Sequence, residues 1–392
     1  MNTKIIITAF ICLFFFRMKA QVNIKDNIIG SSISIESKIL NDERELQIFL
    51  PDNYENSKKN YPVLYILDGQ RYFLHAVSLQ KSFVEFKQTP DFIIVGISKK
   101  RSDRNQNYNV DSQSYRDFIE KEVIKYVNIT YRTSKKQMLF GWALGGGFVL
   151  ETLISKPNLF DVYIAASPFP LKDKMSAIDS LLKANPSFNK LVYFTSGSNE
   201  GLVKGETRKL KTLITNKAPN SMNWVFKELK SEEHRSTPFT TLYHGIQRYY
   251  HYYPELQFNN LEEFSNFGGL EYVYDYYQKR ASQFGFSNDL SDWTMFSITR
   301  NAIRADDFVQ FESFINEFEK TQFISRIRVN RACLIAEFYL KNKNYDKSLE
   351  LFTLLAEKHP NNPRPLNGLG DTYTALKKFT KASKYYKKAK DI

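Results

Sequence analysis

One glycine-dense turn holds the residue spacing that points most directly to chemistry. The apolar run Leu139-Phe140 leads into Gly141-Trp142-Ala143-Leu144-Gly145, and a helical pattern follows. In a G-x-S-x-G nucleophile elbow, small flanking residues permit a strained turn that lifts a serine above a sheet for attack on an ester carbonyl. Gly141 and Gly145 occupy the flanking positions, but Ala143 stands at the centre and has no hydroxyl group. The spacing therefore indicates an acyl-transfer site without its nucleophile, and a purely structural strand-to-helix turn is the alternative.

The elements that would position this turn are short buried strands separated by helices. Continuous apolar runs occupy residues 63–67, 92–97, 138–140, 162–165, 191–194 and 224–226, and the pattern over 115–126 predicts an amphipathic helix. Residues 32–37 and 46–50 alternate around a turn at 41–43, which predicts an antiparallel pair at a sheet edge. Together these patterns predict an α/β fold in which a mostly parallel sheet is covered on both faces.

Several motifs occur in a fixed order over about residues 31–250: Tyr61-Pro62-Val63-Leu64-Tyr65-Ile66-Leu67-Asp68-Gly69, Val95-Gly96-Ile97-Ser98, Phe118-Ile119-Glu120, Tyr131-Arg132-Thr133, the turn at 141–145, and Ala166-Ser167-Pro168. In this order they resemble the esterase D-like Putative esterase family of the α/β-hydrolase superfamily, which includes siderophore esterases. The resemblance implies an α/β-hydrolase fold and a serine hydrolase that acts on acyl esters.

The same resemblance implies the other members of a catalytic triad. In the α/β-hydrolase order, the acid follows the nucleophile and the histidine comes last. Glu200 follows the run 191–194 and takes the acid position, with Asp161 and Glu206 as weaker candidates. The alternative is that Glu200 is a solvated loop carboxylate without a catalytic role. His234 follows the run 224–226 and takes the position of the general base, against the alternative of a surface histidine. The carboxylate would orient the imidazole, which would remove the nucleophile's proton.

Backbone groups would supply the oxyanion hole. The family pattern requires the N–H after the nucleophile and one from the loop after the third strand, which correspond to Leu144 and to Gly69 or Gln70. Because these are main-chain roles, alanine at position 143 would leave them in place.

Ala143 has two explanations, a natural pseudoenzyme that keeps the pocket and a deliberate serine-to-alanine change. The presence of a leader in the chain favours the unaltered, natural sequence. Two functions follow: an acyl-ester hydrolase that is impaired or inactive, or a non-catalytic binding or scaffold protein whose pocket holds a small acyl ester. Residues 145–147 lack the Lys-Ser/Thr of a phosphate loop, and no His-Glu-x-x-His motif is found, so no cofactor and no metal are expected.

The chain beyond about residue 253 has a helical pattern with a 34-residue period. Ile335-Ala336, Tyr339, Ser348 and Phe352 return as Leu369-Gly370, Tyr373, Ala382 and Tyr386, which resembles the tetratricopeptide repeat. We expect a hydrolase domain over 25–255, a helical adapter or degenerate repeat over 256–328, and two repeats over 329–392 that dock a protein partner. Four lysines lie on one face of the last helix and favour either an acidic partner or simply a solvated surface: Lys377, Lys381, Lys384 and Lys388.

The amino terminus predicts export. A basic start, an apolar run over 5–16 and Ala20 before the expected cut form a signal peptide over 1–20, with an uncleaved anchor as the alternative. Cleavage removes Cys12, so Cys333 would be a buried free thiol in a periplasmic or secreted protein without a transmembrane helix. The net charge of +13 favours anionic surroundings, but export argues against nucleic acid as a partner. An apolar content of 42% excludes a disordered chain.

Overall fold

A computed structural model describes residues 27–98, 101–318 and 322–392. The predicted signal peptide and Cys12 lie outside these residues. In the described part of the chain, no helix combines the length and apolar character needed to cross a membrane.

Eight strands form one sheet in the order β1-β2-β4-β3-β5-β6-β7-β8. The strands are β1 (Ser31–Ser37), β2 (Asp42–Phe49), β3 (Tyr61–Leu67), β4 (Ile93–Ile97), β5 (Thr133–Trp142), β6 (Val162–Ala166), β7 (Leu191–Gly197) and β8 (Asn223–Leu229). β1 pairs with β2 and β2 with β4 in antiparallel fashion, and all other pairs are parallel. The predicted mostly parallel sheet and its antiparallel edge pair are confirmed.

The turn between β1 and β2 lies earlier than predicted. It covers residues 38–41, because β2 already begins at Asp42, which pairs with Ser37. Glu122 holds this turn by accepting hydrogen bonds from the backbone N–H groups of Lys38 and Ile39 at 3.0 and 3.2 Å. Asn41 takes the left-handed conformation with φ 50°, which asparagine tolerates better than most residues.

Helices cover both faces of the sheet, as predicted. α1 (Gly69–Glu85) and α7 (Thr237–Tyr249) pack on one face. The other face carries α2 (Ser112–Phe118), α3 (Lys125–Thr130), α4 (Leu144–Ser155), α5 (Met175–Ala184) and α6 (Leu202–Lys217). A π-helical stretch, Ile119–Ile124, joins α2 to α3, so the helix predicted over 115–126 is the middle of a longer one.

The remainder of the described chain is helical. Its helices are α8 (Leu261–Phe267), α9 (Gly269–Phe284), α10 (Asp292–Arg304), α11 (Phe308–Phe318), α12 (Phe323–Arg326), α13 (Val329–Lys341), α14 (Tyr345–Lys358), α15 (Pro363–Ala375) and α16 (Phe379–Lys390). The starts of α13 and α15 are 34 residues apart, as are those of α14 and α16, which confirms the predicted period. Cys333 is buried in this region, and burial raises the pKa of its thiol to about 11.

The helical region contacts the sheet domain near the amino ends of β6, β7 and β8. Phe284 at the end of α9 packs on the rings of Tyr250 and Tyr253, at centroid distances of 5.9 and 5.3 Å. The Arg280 guanidinium donates to the Tyr253 carbonyl at 2.9 Å. A cleft of about 410 Å³ remains beside this junction, lined by Asp161, Leu191 and Asn223 from the sheet domain and by Ser282 and Phe284 from α9.

Candidate active site

The predicted elbow connects β5 to α4. Ala143 has φ 54° and ψ −117°, a conformation that costs a non-glycine residue about 1–3 kcal/mol. Hydrogen bonds hold it there: the Ala143 N–H donates to Ala166 O at 3.0 Å, and its carbonyl accepts from Gly147 and Phe169 at 2.9 and 3.1 Å. All three bonds are made by the backbone, so the strained turn exists without a serine side chain.

Gly141 is required at the elbow on steric grounds. A Cβ atom at this position would lie 2.4 Å from the Gly145 carbonyl oxygen, because the start of α4 passes directly over the end of β5. At Gly145, by contrast, the nearest atom to a Cβ would be in the Tyr108 ring at 3.4 Å, which is ordinary contact. Gly147 is a tight position that sequence reasoning did not single out, since a Cβ there would meet Phe169 O at 2.5 Å.

Glu200 and His234 lie together at the carboxyl ends of β7 and β8. The Nδ1 atom of His234 is 3.0 Å from Oε1 of Glu200. Ser167 Oγ donates to the same oxygen at 2.6 Å, and the Gly197 N–H donates to Oε2 at 2.9 Å. The Glu200 side chain is fully buried, whereas 39% of the His234 side chain is exposed. The weaker alternatives, Asp161 and Glu206, make their contacts elsewhere: Asp161 with the Gln137 N–H and Lys190, and Glu206 with the Leu171 N–H.

The electrostatics of the pair favour an ionised carboxylate. Burial raises the pKa of Glu200, but hydrogen bonds from His234, Ser167 and the Gly197 N–H outweigh it, and the pKa lies below the ordinary value. A carboxylate only accepts hydrogen bonds, so the proton of a neutral His234 sits on Nδ1. The Nε2 atom is then left as a base.

Three further residues fix this pair and were missed as site residues by sequence reasoning. Ser167 Oγ also contacts Thr237 Oγ1 at 2.7 Å, and both residues are fully buried. The Trp142 indole N–H donates to the His234 carbonyl at 2.8 Å, and the two rings pack at 4.8 Å. Ser167 directly follows a predicted buried strand, which is a usable signal, but no pattern marks Thr237 or Trp142 as partners of residues far away in the chain.

The predicted oxyanion donors come from two helix starts. Gly69 and Leu144 are the first residues of α1 and α4, and Gln70 is the second residue of α1. β3 and β5 are paired in parallel, so both helices begin at the same edge of the sheet. First-turn N–H groups point out of a helix along its axis, toward the positive end of its dipole. The two starts can therefore direct N–H groups at one developing oxyanion.

A buried ion pair joins the loop before α1 to the elbow. The Arg104 guanidinium contacts both carboxylate oxygens of Asp68, the closest at 2.9 Å, and also donates to the Trp142 carbonyl at 3.2 Å. Asp68 is completely buried, with φ 57°. Gly69 is needed beside it, because a Cβ there would lie 2.6 Å from the Gly96 carbonyl carbon. Arg104 thus connects the residue before α1 to the elbow before α4.

The site described so far consists of acid, base and donor groups. Within the described residues, no group of three or more His, Cys, Asp or Glu side chains is arranged to bind a metal ion.

Family models match two parts of the chain. The model described as Putative esterase matches residues 37–259, and a Tetratricopeptide repeat model matches residues 363–392. The family resemblance inferred from the sequence motifs is thereby confirmed.

Two proteins of Bacillus subtilis are similar in sequence. Uncharacterized protein YjcH is 31% identical over 151 residues, which cover 36% of this chain and 62% of YjcH. Ferri-bacillibactin esterase BesA is 29% identical over 137 residues, which cover 28% of this chain and 47% of BesA. The chain thus spans less than two thirds of either relative.

Solved structures show the same fold. An IroE-like serine hydrolase from Shewanella oneidensis is 23% identical, with a TM-score of 0.55 over 74% of this chain and 99% of that one. An uncharacterised protein from Capnocytophaga ochracea is 17% identical, with a TM-score of 0.57 over 92% and 93%. The fold is therefore that of an α/β hydrolase, followed by a helical region that ends in a tetratricopeptide repeat.

Proposed function

Because the chain belongs to the Putative esterase family, we propose that its site is a serine-esterase apparatus for acyl esters in which Ala143 occupies the nucleophile position. Glu200 is the acid, His234 is the general base, and Leu144 with Gly69 or Gln70 forms the oxyanion hole. The observation that carries the proposal is the 3.0 Å contact between Glu200 and His234 beside a strained elbow. As written, the chain is an impaired or inactive hydrolase.

The missing hydroxyl affects one step. In a complete triad, the base takes the proton of the serine as its oxygen attacks the ester carbonyl. Position 143 has no proton to give, so His234 Nε2 can only activate a water molecule, which no covalent bond holds in place. Loss of the serine from such a triad costs on the order of 10⁶ in turnover, and the remaining rate over water comes from the oxyanion hole and from binding.

The surroundings of the site favour an acyl ester with apolar or aromatic parts. Phe239, which is 44% exposed, packs edge-on against Tyr72 and His75 on the α1 side. Leu202, just after Glu200, is 66% exposed. These side chains offer apolar surface to a bound ester, while Arg71, over the Trp142 ring at 5.6 Å, adds a cation at the rim.

The alternative is a binding or scaffold protein that has lost catalysis. Ala143 favours this reading, since pocket, oxyanion donors and elbow would still hold an ester without cleaving it. The repeats would then dock a protein partner. We also propose that the chain is exported and cleaved after Ala20, so that the mature protein, isolated from periplasm or medium, begins at Gln21 on amino-terminal sequencing.

Hydrolysis of p-nitrophenyl acetate and butyrate tests the proposal. Three purified proteins are compared: the chain as written, Ala143→Ser, and Ala143→Ser combined with His234→Ala. We expect negligible turnover from the first, clear turnover from the second, and a loss of at least about 100-fold when the base is removed from the serine variant.

Thermal unfolding of each variant serves as the folding control. A folded Ala143→Ser protein without turnover would contradict the esterase proposal for these substrates and leave the binding protein as the working model. Turnover in the serine variant that survives the His234 change would contradict the assigned base.

A further inference from the structure

Three arginines gather on the helical region, outside the site described above. Arg300 and Arg304 lie one turn apart on α10, and Arg331 lies on the neighbouring helix α13. Arg300 and Arg331 both face the Trp293 ring, at 5.4 and 4.5 Å from its centroid. Both also lie within 6 Å of the Phe296 ring, at 5.8 and 5.3 Å. The guanidinium groups of Arg300 and Arg331 therefore lie near the same two aromatic rings.

Three carboxylates near these helices are paired with other cations. Asp292 binds Arg326 at 2.7 Å, Asp306 binds Lys341 at 2.6 Å, and Glu337 binds Arg364 at 2.8 Å. Over the part of the chain that the structure describes, the three clustered guanidinium groups form no ion pair. The Nε atom of Arg300 is buried and has no hydrogen-bond acceptor.

This arrangement concentrates positive charge at a partly buried place. Burial lowers the pKa of Arg300, and the charges of Arg304 and Arg331 lower it further. Contact with an aromatic face returns only about 0.5–2 kcal/mol per cation. A buried N–H donor without an acceptor costs about 1–3 kcal/mol. A negatively charged acceptor would therefore bind favourably beside these three guanidinium groups.

We propose that Arg300, Arg304 and Arg331 form a binding site for an oxyanion, a carboxylate or a phosphate group. Guanidinium groups are planar, permanently charged and able to donate two parallel hydrogen bonds to either anion. Contacts with the rings of Trp293 and Phe296 restrict the guanidinium groups of Arg300 and Arg331, so that both can donate hydrogen bonds to the anion. The site belongs to the helical region and does not depend on the function proposed for the Ala143 site.

Anion titrations on the full chain test the site. Inorganic phosphate and succinate are added separately at constant ionic strength, balanced with sodium chloride, while Trp fluorescence and thermal unfolding are recorded. We expect at least one of them to raise the melting temperature through preferential binding to the folded state and to change the emission of Trp293. A response to phosphate alone assigns the phosphate form, and a response to succinate alone assigns the carboxylate form.

Substitutions separate binding from general salt effects. Arg300→Gln and Arg331→Gln should each weaken anion binding about 10-fold or more. Arg326→Gln is the matched control: it removes one positive charge from the same region, but that arginine is paired with Asp292, so the affinity should change by less than about twofold. Arg331→Lys keeps the charge and loses the planar donors, and it should also bind more weakly.

The sign of the stability change without anion distinguishes a binding site from a structural one. Arg300→Gln removes like-charge repulsion and an unpaired donor, so its melting temperature in chloride should equal or exceed that of the unchanged protein. A lower melting temperature, an anion response that persists in both glutamine variants, or no response to either anion would overturn the proposal.

Discussion

Residue 143 differs from a catalytic serine by a single oxygen atom, and its backbone already has the geometry that a serine would need. Its φ of 54° is held by hydrogen bonds from the Gly147 and Phe169 N–H groups to its carbonyl, which no side chain influences. Replacing the alanine by serine therefore requires no movement of the chain.

The site residues that could be predicted from the sequence belong to local patterns. The elbow is a glycine-rich turn, and Glu200 and His234 follow strands in a known order. Ser167 could not be predicted as a partner of Glu200, nor Thr237 as a partner of Ser167, because these contacts depend on how β6, β7 and α7 pack.

The acid of the pair should make stability depend on pH. The pKa of Glu200 in the folded protein lies below its ordinary value of 4.5, so its stabilising effect is complete above that value and is lost as the pH falls through the folded pKa. Glu200→Gln should lower the free energy of unfolding by about 2 kcal/mol at pH 7, where hydrogen bonds to a charged group are lost. The difference from the unchanged protein should shrink toward pH 3, as measured by urea unfolding.

The control for this prediction is Glu233→Gln. Glu233 is exposed, and its removal should change stability by less than about 0.5 kcal/mol at either pH. A Glu200→Gln effect of the same size at pH 3 and pH 7 would mean that the carboxylate charge is not what stabilises the fold.

The apolar runs located the buried part of each parallel strand but not its exposed end. β5 is an example: the apolar run covers 138–140, but the strand begins at Thr133, since its first half, with Lys135 and Lys136, is exposed and carries no apolar signal. The π-helical stretch Ile119–Ile124 could not be distinguished from an α-helix either. Its buried apolar residues also fit an ordinary helical period. Apolar periodicity thus locates the core of an element, and solvent-exposed ends need the structure.

Two glycines should respond in opposite ways to substitution by alanine, because one lies where α4 passes over β5 and the other lies in open space. Gly141→Ala should destabilise the protein by about 2 kcal/mol or more, because its Cβ would lie 2.4 Å from the Gly145 carbonyl oxygen, in backbone that cannot move freely. Gly205→Ala, on α6 with nothing within 4 Å of the new Cβ, should instead stabilise by about 0.5–1 kcal/mol. Urea unfolding of both variants measures the two signs, and a neutral Gly141→Ala would contradict the close approach.

At the scale of the whole molecule, the sequence predicted two architectures in series but not how they meet. The 34-residue period and the end of the strand pattern are properties of the chain, and each can be read locally. The junction is made by rings that carry no such pattern: Phe284 between Tyr250 and Tyr253, with Arg280 donating to a carbonyl beside them. In a chain with 15% aromatic residues, the sequence does not distinguish a ring that packs between two units from a ring in the core of one unit.

Phe284 should therefore couple the unfolding of the two units. Phe284→Ala should lower the melting temperature, by an amount equivalent to about 2 kcal/mol, and separate the unfolding of the sheet domain from that of the helical region in calorimetry. Phe86→Ala is the control, because that ring is 73% exposed and its loss should change stability by less than about 0.5 kcal/mol. A single unchanged transition in the Phe284 variant would contradict the coupling.

The helical region and the Ala143 site lie at opposite ends of the sheet. The helical region packs near the amino ends of β6, β7 and β8, whereas Ala143, Glu200 and His234 follow the carboxyl ends of β5, β7 and β8. The strands between them are five to ten residues long, which separates the two ends by roughly 15–30 Å. A partner or support that binds the helical region beside this junction would therefore leave Ala143, Glu200 and His234 at the opposite end of the sheet. The order of the elements thus separates attachment through the junction from access to the Ala143 site.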